Sequence, residues 1–287
     1  MLGFQGRIVS QRRVLSRLLP PLALVLALAA VFPGTGQAGG TPELSWRQVG
    51  SAPHDEAAFT QGLLLLGGKL YESTGLYGRS ELRQTDPATG AVLRRQALPA
   101  RLFGEGLAEC GGALYQLTWR ENTVLRYSAA SLARTGEMRQ GGEGWGLASD
   151  GRELIRSDGS DRLYFHDPAT FKPIRSVAVA DNGAPVVNLN ALAYVRGLIL
   201  ANVWYSDRIA VISPADGKVL AWLDMSALRP ATCPPGSEKV LNGIAFDPAS
   251  GRLYLTGKLW PRLFAIEVDW RGLPPEARRD AASKDAQ

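Results

Sequence analysis

A short phrase recurs five times along this chain: a glycine or alanine with an aliphatic residue after it, a few residues of spacer, then leucine before tyrosine or isoleucine. The copies run Gly62 to Tyr71, Gly106 to Tyr115, Gly146 to Ile155, Ala191 to Ile199 and Gly243 to Tyr254, so their starts lie 44, 40, 45 and 52 residues apart. A period of about 40–50 residues built from short β-rich units belongs to a β-propeller, in which no blade buries its own faces and each stacks on the next. Within the copies, Tyr71 to Thr74, Tyr115 to Trp119 and Leu200 to Trp204 mix aromatic and β-branched residues as strands do. Turn signals follow at matching places, in Asp86-Pro87-Ala88-Thr89-Gly90, Asp167-Pro168-Ala169-Thr170 and Ser213-Pro214-Ala215-Asp216-Gly217. The long last interval holds Pro230 to Pro235, which reads as a loop. The expectation is therefore all-β, a five-bladed propeller. The last copy leaves too little chain for a fourth strand, and Leu44 to Val49, which alternates like a strand, is expected to supply it. That closes the ring and removes an exposed edge. A β-sandwich is the competing fold, but it does not explain the period.

Residues 1–38 have a different character. Arg7, Arg12, Arg13 and Arg17 precede an apolar run from Leu18 to Phe32, and small residues end the segment at Ala38. This is the pattern of a secretory signal, too short and too proline-broken at Pro20 and Pro21 for a permanent membrane helix. The Arg12-Arg13 pair leaves the export route open between the general and twin-arginine types. The expected division is a signal peptide at 1–38, a propeller domain at 39–270 and a polar tail at 271–287, with Pro275 to Lys284 helical or frayed. A periplasmic or secreted monomer is expected, free of the membrane once the signal is cleaved. The net charge of +5 does not argue for nucleic acid, because those four arginines leave only +1 for the rest. Export permits a disulfide between Cys110 and Cys233, and two buried thiols are the equal alternative.

Aligned repeats place equivalent residues at equivalent points of a ring. Directly before each copy stand Gln61, Glu105, Trp145, Asn190 and Asn242, which would surround one end of the central channel. A second tier, Thr74, Trp119, Asp158, Trp204 and Lys258, falls at the ends of the following strands. Purely structural repeats keep equivalent positions alike, whereas these diversify in chemistry. A site is expected there.

Other chemistry is sparse. The sequence has no Gly-x-Ser-x-Gly elbow or phosphate loop, and no helix pattern follows the glycine-rich run Gly141 to Gly146. His54 and His166 read as exposed loop residues. Two histidines and two cysteines do not build the usual zinc centres, so no metal and no cofactor are expected. Asp158 and Asp161 suit a satisfied turn better than a calcium loop.

Several phrases together resemble the plant and bacterial type of glutaminyl-peptide cyclotransferase. They are Phe59-Thr60-Gln61-Gly62-Leu63, Tyr71 to Gly78, Phe103-Gly104-Glu105-Gly106-Leu107, Leu117-Thr118-Trp119 and Gly144-Trp145-Gly146-Leu147. They continue through Ser157-Asp158-Gly159, Ala201-Asn202-Val203-Trp204, Leu241 to Ala245 and Thr256-Gly257-Lys258-Leu259-Trp260. The resemblance spans about residues 45–268 and implies a five-bladed propeller that cyclises N-terminal glutamine of peptides and proteins to pyroglutamate, releasing ammonia without a catalytic metal. It puts the acid/base carboxylate on Glu105, the pocket tryptophans on Trp119, Trp145 and Trp204, and polar contacts on Gln61, Asn190 and Lys258. Apolar walls around Glu105 would raise its pKa, with Lys258 opposing, and Asn190 or Gln61 would donate to the carbonyl oxygen as it gains charge. One departure stands out: the family's Asn-Glu-Leu-Glu is Asn190-Ala191-Leu192-Ala193 here. It implies two acids lost near the site, and motivates the alternative of a non-catalytic periplasmic propeller binding peptide N-termini or sugars.

Overall fold

The computed structural model describes residues 40–278. The expected signal segment, and the tail beyond residue 278, lie outside the described residues. Five four-stranded antiparallel sheets follow one another around a ring. Their innermost strands are Thr60–Leu66, Gly104–Cys110, Leu147–Ser149, Leu189–Val195 and Leu241–Asp247, each abutting the next, and the last abutting the first. The fifth sheet closes as the sequence implies: Trp46–Pro53 lies antiparallel to Arg262–Val268, with Trp46 opposite Val268 and Pro53 opposite Arg262. This strand starts two residues later and runs further than Leu44 to Val49. A β-bulge between Gln48 and Gly50 interrupts the alternation that marked its end in the sequence.

The core is divided among the seams between blades. Tyr71 and Leu82 of the first blade pack with Leu107, Leu114 and Leu125 of the second, and Ile155 and Phe165 of the third with Ile199 and Ala201 of the fourth. Both cysteines are free and buried, Cys110 in the seam between the second and third blades and Cys233 in that between the fourth and fifth. They are thiols. The proline-rich segment is the expected loop, and Asp158 accepts hydrogen bonds from Ser160 in the expected turn.

At the ring's centre the blades approach closely, and glycine makes this possible. A Cβ on Gly106 would lie 2.4 Å from the backbone nitrogen of Leu147, and one on Gly146 only 1.9 Å from the carbonyl oxygen of Asn190. The recurring glycine of the repeat is thus a contact between neighbouring inner strands. Immediately beside it, pairing slips by a residue in four of the blades: between Thr60 and Gly62, Gly104 and Leu107, Leu189 and Leu192, and Leu241 and Ile244. A bulge re-aims side chains at a strand end. Gln61, Glu105, Asn190 and Asn242 occupy these slips.

The two histidines are not exposed loop residues. His166 is buried, stacked on Phe171, and donates from Nδ1 to the Phe171 carbonyl at 2.9 Å. Burial, reinforced by the nearby Arg156 charge, lowers its pKa to about 4 despite that bond, so the ring is neutral. His54 follows the closing strand, and its Nδ1 lies 2.7 Å from the Trp260 carbonyl of the fifth blade while its Nε2 lies 3.0 Å from Glu72 Oε1 of the first. Glu72, itself buried, also accepts from Thr60 Oγ1 and from Arg83, whose Nη1 donates to Asp55 at 2.7 Å. A buried charge network therefore latches the closing strand to both blades it joins. A residue read as loop is part of the closure because tertiary packing, invisible in local pattern, folds its loop inward.

Candidate active site

All seven side chains expected at the site, Gln61, Glu105, Trp119, Trp145, Asn190, Trp204 and Lys258, line one cavity of about 370 Å³ at one end of the ring. Phe59, Leu76, Phe103 and Glu238 complete it. Gln61, Glu105, Asn190 and Lys258 are buried and form the polar floor, and the three tryptophans are half-buried around it. Of the second tier, Thr74 and Asp158 do not line the cavity, and Thr74 Oγ1 bonds to the Glu81 backbone instead. Neither histidine reaches it.

A directional chain of hydrogen bonds leads to Glu105. Asn242 Oδ1 accepts from the Ala191 backbone at 3.4 Å and its Nδ2 donates to the Thr60 carbonyl at 2.9 Å, which fixes which way its amide faces. That amide nitrogen also donates to Gln61 Oε1 at 3.2 Å, leaving Gln61 Nε2 to donate to Glu105 Oε1 at 2.9 Å. Gln61 is thus committed at both ends. These bonds hold the carboxyl group in place and use one of the two N–H donors of the Gln61 amide.

Burial raises the Glu105 pKa well above the ordinary carboxylate range; Lys258 opposes the shift, and the charges of Glu121 and Glu143 reinforce it. Lys258 shifts the other way, because its own burial disfavours the ammonium more than Glu105 and Glu238 favour it. Its Nζ sits over the rings of Phe59 and Trp204, at 4.7 and 5.6 Å from their centroids. A carboxyl pushed up and an amine pushed down face one cavity, so their proton affinities are drawn towards each other, as groups that exchange protons require.

Two polar atoms here are buried with no partner: Asn190 Oδ1, an acceptor, and Trp204 Nε1, a donor. Unmet groups inside a cavity are costly unless a ligand meets them. The indoles of Trp119 and Trp145, by contrast, both donate to Glu143 Oε2, at 2.8 and 3.0 Å.

The expected loss of acids beside the site is corrected by the placement of Ala191 and Ala193. Neither lines this cavity, and Ala193 faces the opposite mouth of the channel together with Leu64, Leu107 and Tyr194. Past the bulge at Asn190 the inner strand runs away from the site. The sequence reasoning missed Phe59 and Phe103, although they hold the same place in the repeat, two residues before Gln61 and Glu105. Extending the aligned copies by two residues exposes them.

A closed five-bladed propeller with a buried carboxyl, its pKa raised, in a tryptophan-walled cavity has the form of an active site for a small substrate group. Comparison with known proteins narrows it. Residues 22–268 match the sequence profile of the family described as glutamine cyclotransferase, and the chain belongs to that family. It is 42% identical to a glutaminyl-peptide cyclotransferase of Arabidopsis thaliana over 277 residues, covering 90% of this chain and 87% of that protein. The crystal structure of Myxococcus xanthus glutaminyl cyclase superposes with a TM-score of 0.75 at 40% identity, covering 79% of this chain and 98% of that one.

Proposed function

We propose that this cavity cyclises the N-terminal glutamine of peptides and proteins to pyroglutamate, and that Glu105 moves the proton. The observation that carries the reading is a buried Glu105, held by Gln61, in one cavity with an unmet acceptor, Asn190 Oδ1, and an unmet donor, Trp204 Nε1. The substrate is its own nucleophile, so holding its side chain curled against its α-amine supplies much of the rate. The α-nitrogen attacks the carbonyl carbon of the γ-carboxamide, forming the ring C–N bond as Glu105 takes a proton from that nitrogen. Trp204 Nε1 donates to the carboxamide oxygen as it gains charge, and Asn190 Oδ1 accepts an N–H of the substrate. Collapse breaks the bond to the amide nitrogen, Glu105 returns the proton to it, and ammonia leaves. Lys258 keeps a positive charge close enough to temper the Glu105 pKa.

With Ala191 and Ala193 off the cavity, the binding-only alternative loses its motive. Purified protein is expected to release one ammonia per peptide from a short Gln-initiated peptide and none from its Glu-initiated twin. Prior dialysis against a strong chelator should leave the rate unchanged. A rate equal to the uncatalysed one defeats the proposal. Export, with the mature chain beginning near Gly39, is part of the same reading and rests on the basic, apolar and small-residue order of residues 1–38. N-terminal sequencing of the protein from an envelope fraction tests it; an intact Met1 in the cytosol would overturn it.

A further inference from the structure

We infer that Glu143 is a positioning residue for the cavity: its carboxylate anchors the indole N–H groups of Trp119 and Trp145, and so sets the walls against which the substrate glutamine folds. The inference rests on this cavity being where glutamine is cyclised. Glu143 does not itself line the cavity.

The aligned repeats single out this residue. Two positions before the ring residues stand Phe59, Phe103, Glu143, Asn188 and Val240, so a carboxylate replaces the phenylalanine of the first two blades. Its Oε2 accepts from both indoles, at 2.8 Å from Trp119 and 3.0 Å from Trp145. Its Oε1 accepts from Arg120 Nε at 2.9 Å, and the Arg120 guanidinium lies 3.8 Å over the Trp119 ring. Trp119 is therefore gripped at its edge by the carboxylate and on its face by the cation. The Glu143 backbone is fixed as well, since Arg156 Nη1 donates to its carbonyl.

The glycine-rich run that leads to no helix acquires a purpose here. A Cβ on Gly144 would lie 2.7 Å from Gln140 Nε2 and 2.8 Å from the Thr118 carbonyl. Glycine lets the chain pass close enough to bring Glu143 between the two rings. Charge-assisted bonds are the stronger kind, and one oxygen shared by two donors sets the spacing of the rings it joins. Trp145 passes that order on, standing edge-to-face with Trp204 at 5.3 Å. With two indole N–H groups occupied by Glu143, Trp204 is the tryptophan of the cavity whose N–H stays unpartnered.

Three variants separate geometry from charge. Glu143→Ala removes the anchor, Glu143→Asp keeps the charge but withdraws it by one methylene, and Glu143→Gln keeps an oxygen in place without the charge. KM for a Gln-initiated peptide is expected to rise about tenfold in the alanine and aspartate variants and by less than about threefold in the glutamine variant, with kcat moving less than KM in each, as displaced walls rather than a lost proton carrier would produce. In proton–nitrogen spectra the indole signals of Trp119 and Trp145 should move in the alanine and aspartate variants while those of the tryptophans outside the cavity stay. Should the alanine variant not fold, the aspartate and glutamine pair carries the comparison. Unmoved indole signals, or a glutamine variant as impaired in KM as the aspartate one, would overturn the inference. Glu105→Gln measured alongside keeps the two readings apart. Full activity in that variant removes the catalytic reading of the site, whereas the indole signals report the bracing without any reference to turnover.

Discussion

Glu105→Gln is expected to fold normally and to lose turnover by about 10²–10⁴-fold, the usual contribution of a positioned acid or base. The substitution keeps the shape of the side chain and its bond to Gln61, so the loss reports proton transfer and not packing. Its stability should rise slightly if it changes at all, because a group whose charged form is disfavoured by burial is replaced by a neutral one. Thermal midpoint and turnover measured on one preparation decide the matter. A lowered midpoint with near-normal turnover would make Glu105 a structural residue.

The second large effect is expected far from the chemistry, at the latch that closes the ring. Arg83→Ala leaves Glu72, 1% exposed, without its guanidinium and should cost about 3–5 kcal/mol, the usual penalty for breaking a buried ion pair from one side. The number measures the stranded carboxylate, not the net worth of the network, and replacing all its members by apolar residues need not cost the same. Burial alone would raise the Glu72 pKa, but the charges of His54 and Arg83, with hydrogen bonds from His54 and Thr60, hold it at about 2. A depressed folded-state pKa contributes stability that is present above the unfolded value of 4.5 and is lost as pH falls through about 2. His54 works in the opposite sense. Burial would lower its pKa, yet Glu72 and the Trp260 carbonyl raise it above 6.5, so its contribution is complete below that value and fades as pH rises through the folded-state pKa. Urea unfolding across pH should therefore show stability falling between about pH 5 and pH 2, and a flatter slope in Glu72→Gln. An Arg83→Ala cost below about 1 kcal/mol, the range of a surface pair, would show that the latch is not closed in solution.

Much of the ring was legible because a propeller writes its symmetry into the chain. The small residue of each repeat recurs where inner strands touch, and in four blades a bulge turns the residue before it inward, so counting copies brought Gln61, Glu105, Trp145 and Asn190 to one mouth. What symmetry did not encode was lost. His54 lies in a loop that only packing between blades folds inward, and His166 ends a strand whose following turn brings Phe171 back over its ring. Ala191 and Ala193 neighbour Asn190 in sequence but follow an inner strand that leaves the cavity, so closeness along the chain was a false guide to closeness in space. Glu143 escaped notice for a related reason: it acts through the two indoles it holds, and no spacing in the sequence encodes that grip.

The most direct test of the account is a crystal structure of Glu105→Gln holding an uncyclised Gln-initiated peptide, which the slowed variant should retain. The N-terminal glutamine is expected inside the cavity, curled so that its α-nitrogen faces the side chain at position 105 and its carboxamide oxygen accepts from Trp204 Nε1. A peptide seated outside the cavity, or one whose α-nitrogen points away from position 105, would contradict it.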